Sequence, residues 1–340
     1  MNMNRQQRPL NVSFRRGSRA EKIFRQRVGR PVAEAIVPGE KPTPAHDLHF
    51  NGGKTIPNLH FMNYYVGADA WPASDITNID NKLAAAMTDV NLNNVMEQYF
   101  PGSITTTFDG SEKLPVPAPA TFSQGDVEAL VASMASQGKF GGRDLTSTVF
   151  NFMLPPGTVL NDNAGPTGAV SQNVTAAKKS PIPNDDEADS LNGLGGYHGS
   201  IHTTGGDIVY YAVGVYSEKR ADGTENGIPV FDQPWKNVVA TFYHELNEAR
   251  TDSDVEDAIR AGNDPNAVKF LGWTSKQGEE CGDFPVFESG NDLSKVFQEP
   301  PLTAGGGTVP VQFQYSDNVH GPEGPRTTPA KKVKVQVQAA

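Results

Sequence analysis

The stretch 239–252, which contains His244, Glu245 and Glu248, constrains this chain more than any other. At 100° per residue, Trp235, Val238, Val239, Phe242, Tyr243 and Leu246 fall on one apolar stripe of a helix. His244 and Glu248 fall nearly opposite that stripe, about 40° apart. A His and a Glu four apart on one face, with a second Glu directly after the His, is the H-E-x-x-H metal-helix pattern with Glu in the last place. The spacing predicts a helix that packs with one face and shows His244 and Glu248 on the other, as plain solvated surface or as the floor of a cleft.

The chemistry needs this layout because an imidazole and a carboxylate on adjacent turns reach one cation together. Zn²⁺ takes such N and O ligands at roughly 2.0–2.2 Å. Glu245, beside His244 but pointing to one side, is placed to take a proton from a bound water as general base. Two places offer a third ligand. Asp252 follows eight residues after His244 on the same stripe, although its setting is also typical of a cap. Glu279, Glu280 and Asp283 sit in a Gly-flanked turn that can fold back over the helix. His198 and His202 are four apart, but the glycines around them argue for a turn and strand. His198 is the candidate to line the cleft and polarise a substrate carbonyl; hydrogen bonding of a turn histidine to backbone is the plainer role. The lone Cys281 lies among carboxylates that disfavour its thiolate, so it does not read as a nucleophile. Ser200 lies in no nucleophile elbow, and no glycine-rich phosphate loop is present.

Around this helix the chain reads as loop-rich, with 34 Gly and 26 Pro in 340 residues. Net charge is −10, yet residues 1–30 hold eight Arg, one Lys and one Glu, a local +8 that leaves −18 on the other 310. The expected organisation is a basic disordered arm and linker over 1–45, an α+β domain over 46–300, and an extended or disordered tail over 301–340. The arm reads first as a solvated tail, with an anionic surface as the alternative contact; its sparse aromatics make nucleic acid a poor partner. Buried-type apolar and aromatic runs predict strands over 59–66, 148–154 and 207–216. Helical spacing predicts helices near 79–99 and 123–137. A capping box at Ser253 and Glu256 predicts a short helix ending at Gly262. Residues 161–195 read as a long surface excursion with an acidic crest at 184–187. No apolar run is long enough for a transmembrane segment, and the first 31 residues lack the apolar core of a secretory signal, which makes the cytoplasm the default expectation.

The order Tyr197-His198-Gly199, His244-Glu-Leu-x-Glu248, Thr251-Asp252, Gly272-Trp273 and Glu280-x-x-Asp283 resembles the phosphate-induced protein 1, or EXORDIUM, family and its bacterial relatives. The resemblance spans roughly 59–290 and is sharpest over 197–284. Ser253 stands for that family's usual Pro, Pro285 stands where its cysteine falls, and its other cysteines and secretory leader are absent. The resemblance implies a zincin-like, metalloprotease-like α+β core: a mixed sheet with packed helices, and a metal site pairing the 280–283 turn with the helix. It also implies an extracellular setting. Two functions follow as expectations. One is a zinc hydrolase acting on a peptide or polymer, with the metal on His244, Glu248 and one of Asp252, Glu280 or Asp283. The other is a non-catalytic metal-binding or structural, cell-surface protein, for which a carboxylate-rich set also suits Ca²⁺.

Overall fold

The structure is a computed structural model that describes residues 12–14, 18–20, 42–163, 188–262, 264–289 and 292–323. Six strands form the central sheet: β1 (Val12–Phe14), β2 (Asn58–Tyr65), β3 (Thr105–Lys113), β4 (Thr148–Met153), β5 (Leu194–His202) and β6 (Ile208–Gly214). Their spatial order is β1-β5-β6-β4-β2-β3, parallel from β6 to β3 and antiparallel at β5 and β1. The sheet is therefore mixed and, with the helices packed on it, gives the chain an α+β architecture. β4 is buried at every position because helices cover both faces.

Side-chain alternation assigns the two faces. Leu59, Phe61, Tyr65, Val149, Met153, Tyr210 and Ala212 share a cluster with α1 (Ala73–Thr88) and α4 (Pro234–Thr251). Between those two helices in sequence lie α2 (Val90–Glu97) and α3 (Gln124–Ser136). The alternate residues, among them Tyr64, Phe150, Phe152 and Tyr211, pack with Val127, Leu130 and Val131 of α3. Ala212 pairs with His198 across the β5–β6 ladder. Since directly opposed residues share a face, His198 points to the α4 side.

The expected helices appear with sharper ends. The 79–99 run divides at Asp89, whose side chain accepts from Asn91 and Leu92 N–H and so starts α2. Ser123 and Asp126 form a capping box at α3. The short helix α5 (Val255–Ala261) lacks the expected Ser253–Glu256 box. Asp254 takes the N-cap place without capping, because its carboxylate accepts from Tyr210 OH at 2.7 Å instead.

Three expectations change. First, α4 has no open face, since every residue from Asn237 to Thr251 is buried. The strand β7 (Val311–Gln312) and the turn ahead of α6 (Asp283–Glu288) close its polar side. Second, the domain does not stop at 300. Val309, Val311 and Tyr315 are fully buried, because Val309 and Val311 complete the apolar cluster under α4. Third, within the stretch assigned to a basic arm, Val12–Phe14 form the edge strand β1. The acidic crest at 184–187 and the residues after 323 lie outside the described residues.

Candidate metal centre

α4 starts with Pro234 at its first position, where a missing N–H costs nothing. It is anchored by Phe242 and Leu246, each fully buried and stabilising by about 1.5–3 kcal/mol. Its C-terminal end is fixed by the turn at Gly272. Gly272 N–H donates to Asp252 Oδ1 at 2.7 Å, and a Cβ on Gly272 would meet the Thr251 carbonyl oxygen at 2.0 Å. The next turn approaches as closely. Gly282 N–H donates to Glu248 Oε1 at 3.0 Å, and a Cβ on Gly282 would lie 2.3 Å from His244 Nδ1. Glycine at 282 is thus what lets the 280–283 turn sit on the helix.

Two overlapping donor groups result. His244, Glu248 and Asp283 bring ligand atoms within 4.8 Å of one another, and so do His198, Glu245 and Glu248. Glu248 belongs to both. His244 Nε2 lies 3.0 Å from Glu248 Oε2. His198 Nδ1 lies 3.4 Å from Glu245 Oε2 and 3.8 Å from Glu248 Oε2, while its Nε2 lies 3.6 Å from Glu280 Oε1. Asp252 and Glu280 belong to neither group among the described residues. Asp252 clamps the Gly272 turn, and Glu280 lies beside His198.

Hydrogen bonds fix which imidazole nitrogen faces Glu248. Gln312 Nε2 donates to the Gly282 carbonyl, which turns Gln312 Oε1 to His244 Nδ1 at 2.8 Å. Oε1 only accepts, so Nδ1 carries the hydrogen and the Nε2 lone pair points at Glu248. With the imidazole neutral, two acceptors would face each other at 3.0 Å; with Nε2 protonated, it donates to Glu248 Oε2. Only a proton or a cation between them relieves that contact. Both Glu280 oxygens and Asp252 Oδ2 have no hydrogen-bond partner among the described residues.

Five carboxylates (Glu245, Glu248, Asp252, Glu280 and Asp283) are each 3% exposed or less. The cationic groups acting most strongly on Glu245, Asp252 and Asp283 are His198 and His244. The buried Arg250 turns away and donates to Thr105 O and Thr106 Oγ1. Burial, reinforced by Glu248, pushes the Glu280 and Asp283 carboxyls well above their ordinary range. Burial also raises Glu245, and it raises Asp252 to about 7. Burial works against charge on His244, but Glu248 outweighs it and raises the imidazole to about 10. His198 is raised too, its burial outweighed by the Glu245 contact. The site therefore holds protons wherever no other cation stands.

Residues outside the sequence motifs complete the shell. Gln312 orients His244, and Ser13 Oγ donates to Glu245 Oε1 at 2.9 Å. Neither carries a local signal, one being a neutral amide in a two-residue strand and the other a serine in a basic stretch. Of the further candidates, Glu279 contacts His46 and Ser275, and His202 is half-exposed beside Asp257. Burial raises the Cys281 thiol well above its usual value, which agrees with an inert role. Compared with known proteins, the chain matches no family model, no curated protein and no solved structure.

Proposed function

We propose that the buried cluster is a zinc centre and that the protein is a metal-dependent hydrolase of the peptidase type. The observation that carries this is the buried His244 Nε2 and Glu248 Oε2, 3.0 Å apart with the imidazole orientation set by Gln312, where a cation can take the place of the shared proton. An orienting partner behind a ligating histidine is what such sites require. His244, Glu248 and Asp283 would hold the ion, and Asp283 is favoured over Asp252 and Glu280 as the third ligand. Two imidazoles in the cluster suit Zn²⁺ better than Ca²⁺, which takes oxygen donors. Zinc bound there would supply Lewis acidity to a water and to a carbonyl.

The chain's own residues do the rest. Glu245, whose carboxyl burial raises, is the proton acceptor. His198 Nδ1 donates toward Glu245 Oε2, holds that carboxylate in place, and faces the same space as Glu248. The low-dielectric surroundings strengthen each of these contacts.

The near-complete burial of the donors, each 3% exposed or less, favours a second reading, a cation site that stabilises the fold without turnover. Zinc-loaded wild type and Glu245→Gln, assayed on peptide and ester panels, separate the two. The hydrolase reading expects a loss of about 10²-fold or more in rate with metal content retained. Metal uptake without hydrolysis in the wild type would leave the structural reading. No metal uptake at all would remove both.

A further inference from the structure

A centre whose donor residues are each 3% exposed or less admits no substrate unless something covering it moves. One cover is β1. The inner edge of β5 pairs with β6, and β1 takes the outer edge, with Val12 opposite Tyr197, Ser13 opposite Gly196 and Phe14 opposite Leu194. Without β1, that edge would present a row of open backbone donors and acceptors beside the centre, the arrangement that captures extended peptides.

Two glycines make the covering contact possible. A Cβ on Gly195 would lie 3.0 Å from Ser13 Oγ, and one on Gly196 would lie 3.2 Å from Glu245 Oε1. Bare backbone at these positions opens the gap through which Ser13 reaches Glu245. Phe14 then packs on Phe287 of α6, with ring centroids 5.3 Å apart. Ser13 and Phe14 are both 3% exposed. The ladder is only three residues long and its register breaks between Ser13 and Phe14. A pairing that short is easily exchanged for another strand.

We propose that β1 occupies the strand edge on which an extended peptide substrate docks, so the chain carries its own competitor for the centre. This rests on reading the centre as hydrolytic. The occupant describes the ligand class: an extended peptide with a small hydroxyl residue over Glu245 and an aromatic residue against Phe287. Basic residues follow, as Arg15 and Arg16 do here, which suits a body carrying −18 against the +8 of residues 1–30.

The test uses the zinc-loaded full-length chain and a fluorescein-labelled peptide copying residues 9–17, read by anisotropy. In Ser13→Pro with Phe14→Asp, proline removes a ladder donor and the carboxylate cannot pack on Phe287. That variant should bind the peptide roughly a hundredfold more tightly than wild type, if wild type is closed about 99% of the time. Ser13→Ala keeps the ladder and should gain about fivefold through loss of one hydrogen bond. Equal binding to wild type and to the double variant, or binding to neither, would overturn the proposal. If the double variant does not fold, an unchanged affinity in Ser13→Ala overturns it alone. Peptide binding to the displaced form without hydrolysis in any form supports the docking edge and removes only the hydrolase. Hydrolysis that displacing β1 leaves unchanged, with no peptide bound, does the reverse.

Discussion

If the centre takes zinc as proposed, zinc and protons compete for the same atoms, and the size of that competition follows from His244. Its imidazole is raised to about 10, since the attraction of Glu248 overcomes burial. At pH 7 it therefore holds its proton by a factor of about 10³, or roughly 4 kcal/mol. Zinc needs the neutral Nε2 and must displace that proton. Below pH 10, each unit of pH should change the apparent zinc affinity about tenfold per proton released. Between pH 6 and pH 8 we expect affinity to rise by about 100-fold or more. Protons leaving the raised Glu280 and Asp283 carboxyls can only steepen the slope. Isothermal titration in buffers of different ionisation enthalpy measures both the affinity and the protons released. A flat affinity over this range, or binding that releases no proton, would refute the assignment of His244 Nε2 as a ligand.

Three further outcomes follow from individual contacts. Gln312→Leu removes the acceptor that sets the His244 tautomer and should weaken zinc binding by about 10–100-fold, read by competition with a chelating dye. Gly282→Ala forces a methyl to within 2.3 Å of His244 Nδ1, so the turn must lift; urea unfolding should show a loss of about 2 kcal/mol or more, together with loss of zinc uptake. Glu288, raised to about 8 by burial, is protonated in the fold at pH values where the unfolded chain has already ionised. Stability should thus fall as pH rises from about 4.5 to about 8, and Glu288→Gln should remove that part of the fall, about 2 kcal/mol after solvent screening, in pH-dependent melting curves.

How far the sequence reached depended on whether a contact was local. The α4 stripe was readable because Phe242, Leu246 and their neighbours repeat at helical spacing, and the same geometry put His244 and Glu248 together. Apolar, aromatic-rich runs marked β2, β4 and β6 within a residue or two at each end. The closing of α4 was not readable. A helix with one polar face looks the same whether that face meets water or a turn carrying Glu280 and Asp283. Gln312 lies 68 residues beyond His244 and joins it through tertiary packing alone. Ser13 was hidden by the charge of its neighbours, which made the whole stretch read as solvated. Asp252 shows the limit of helical phase: it sits at the right angle for a ligand, but its first oxygen is taken by Gly272 N–H.

The burial of α4 on every side also has a kinetic meaning. An ion held by atoms with no exposed surface leaves only when its covering opens, so its exchange rate cannot exceed the opening rate of that covering. Isotopic zinc exchange would then serve as a clock. If β1 is the cover, the clock runs at the pace of three residues of edge strand. If the 280–283 turn is the cover, it runs at the pace of the core.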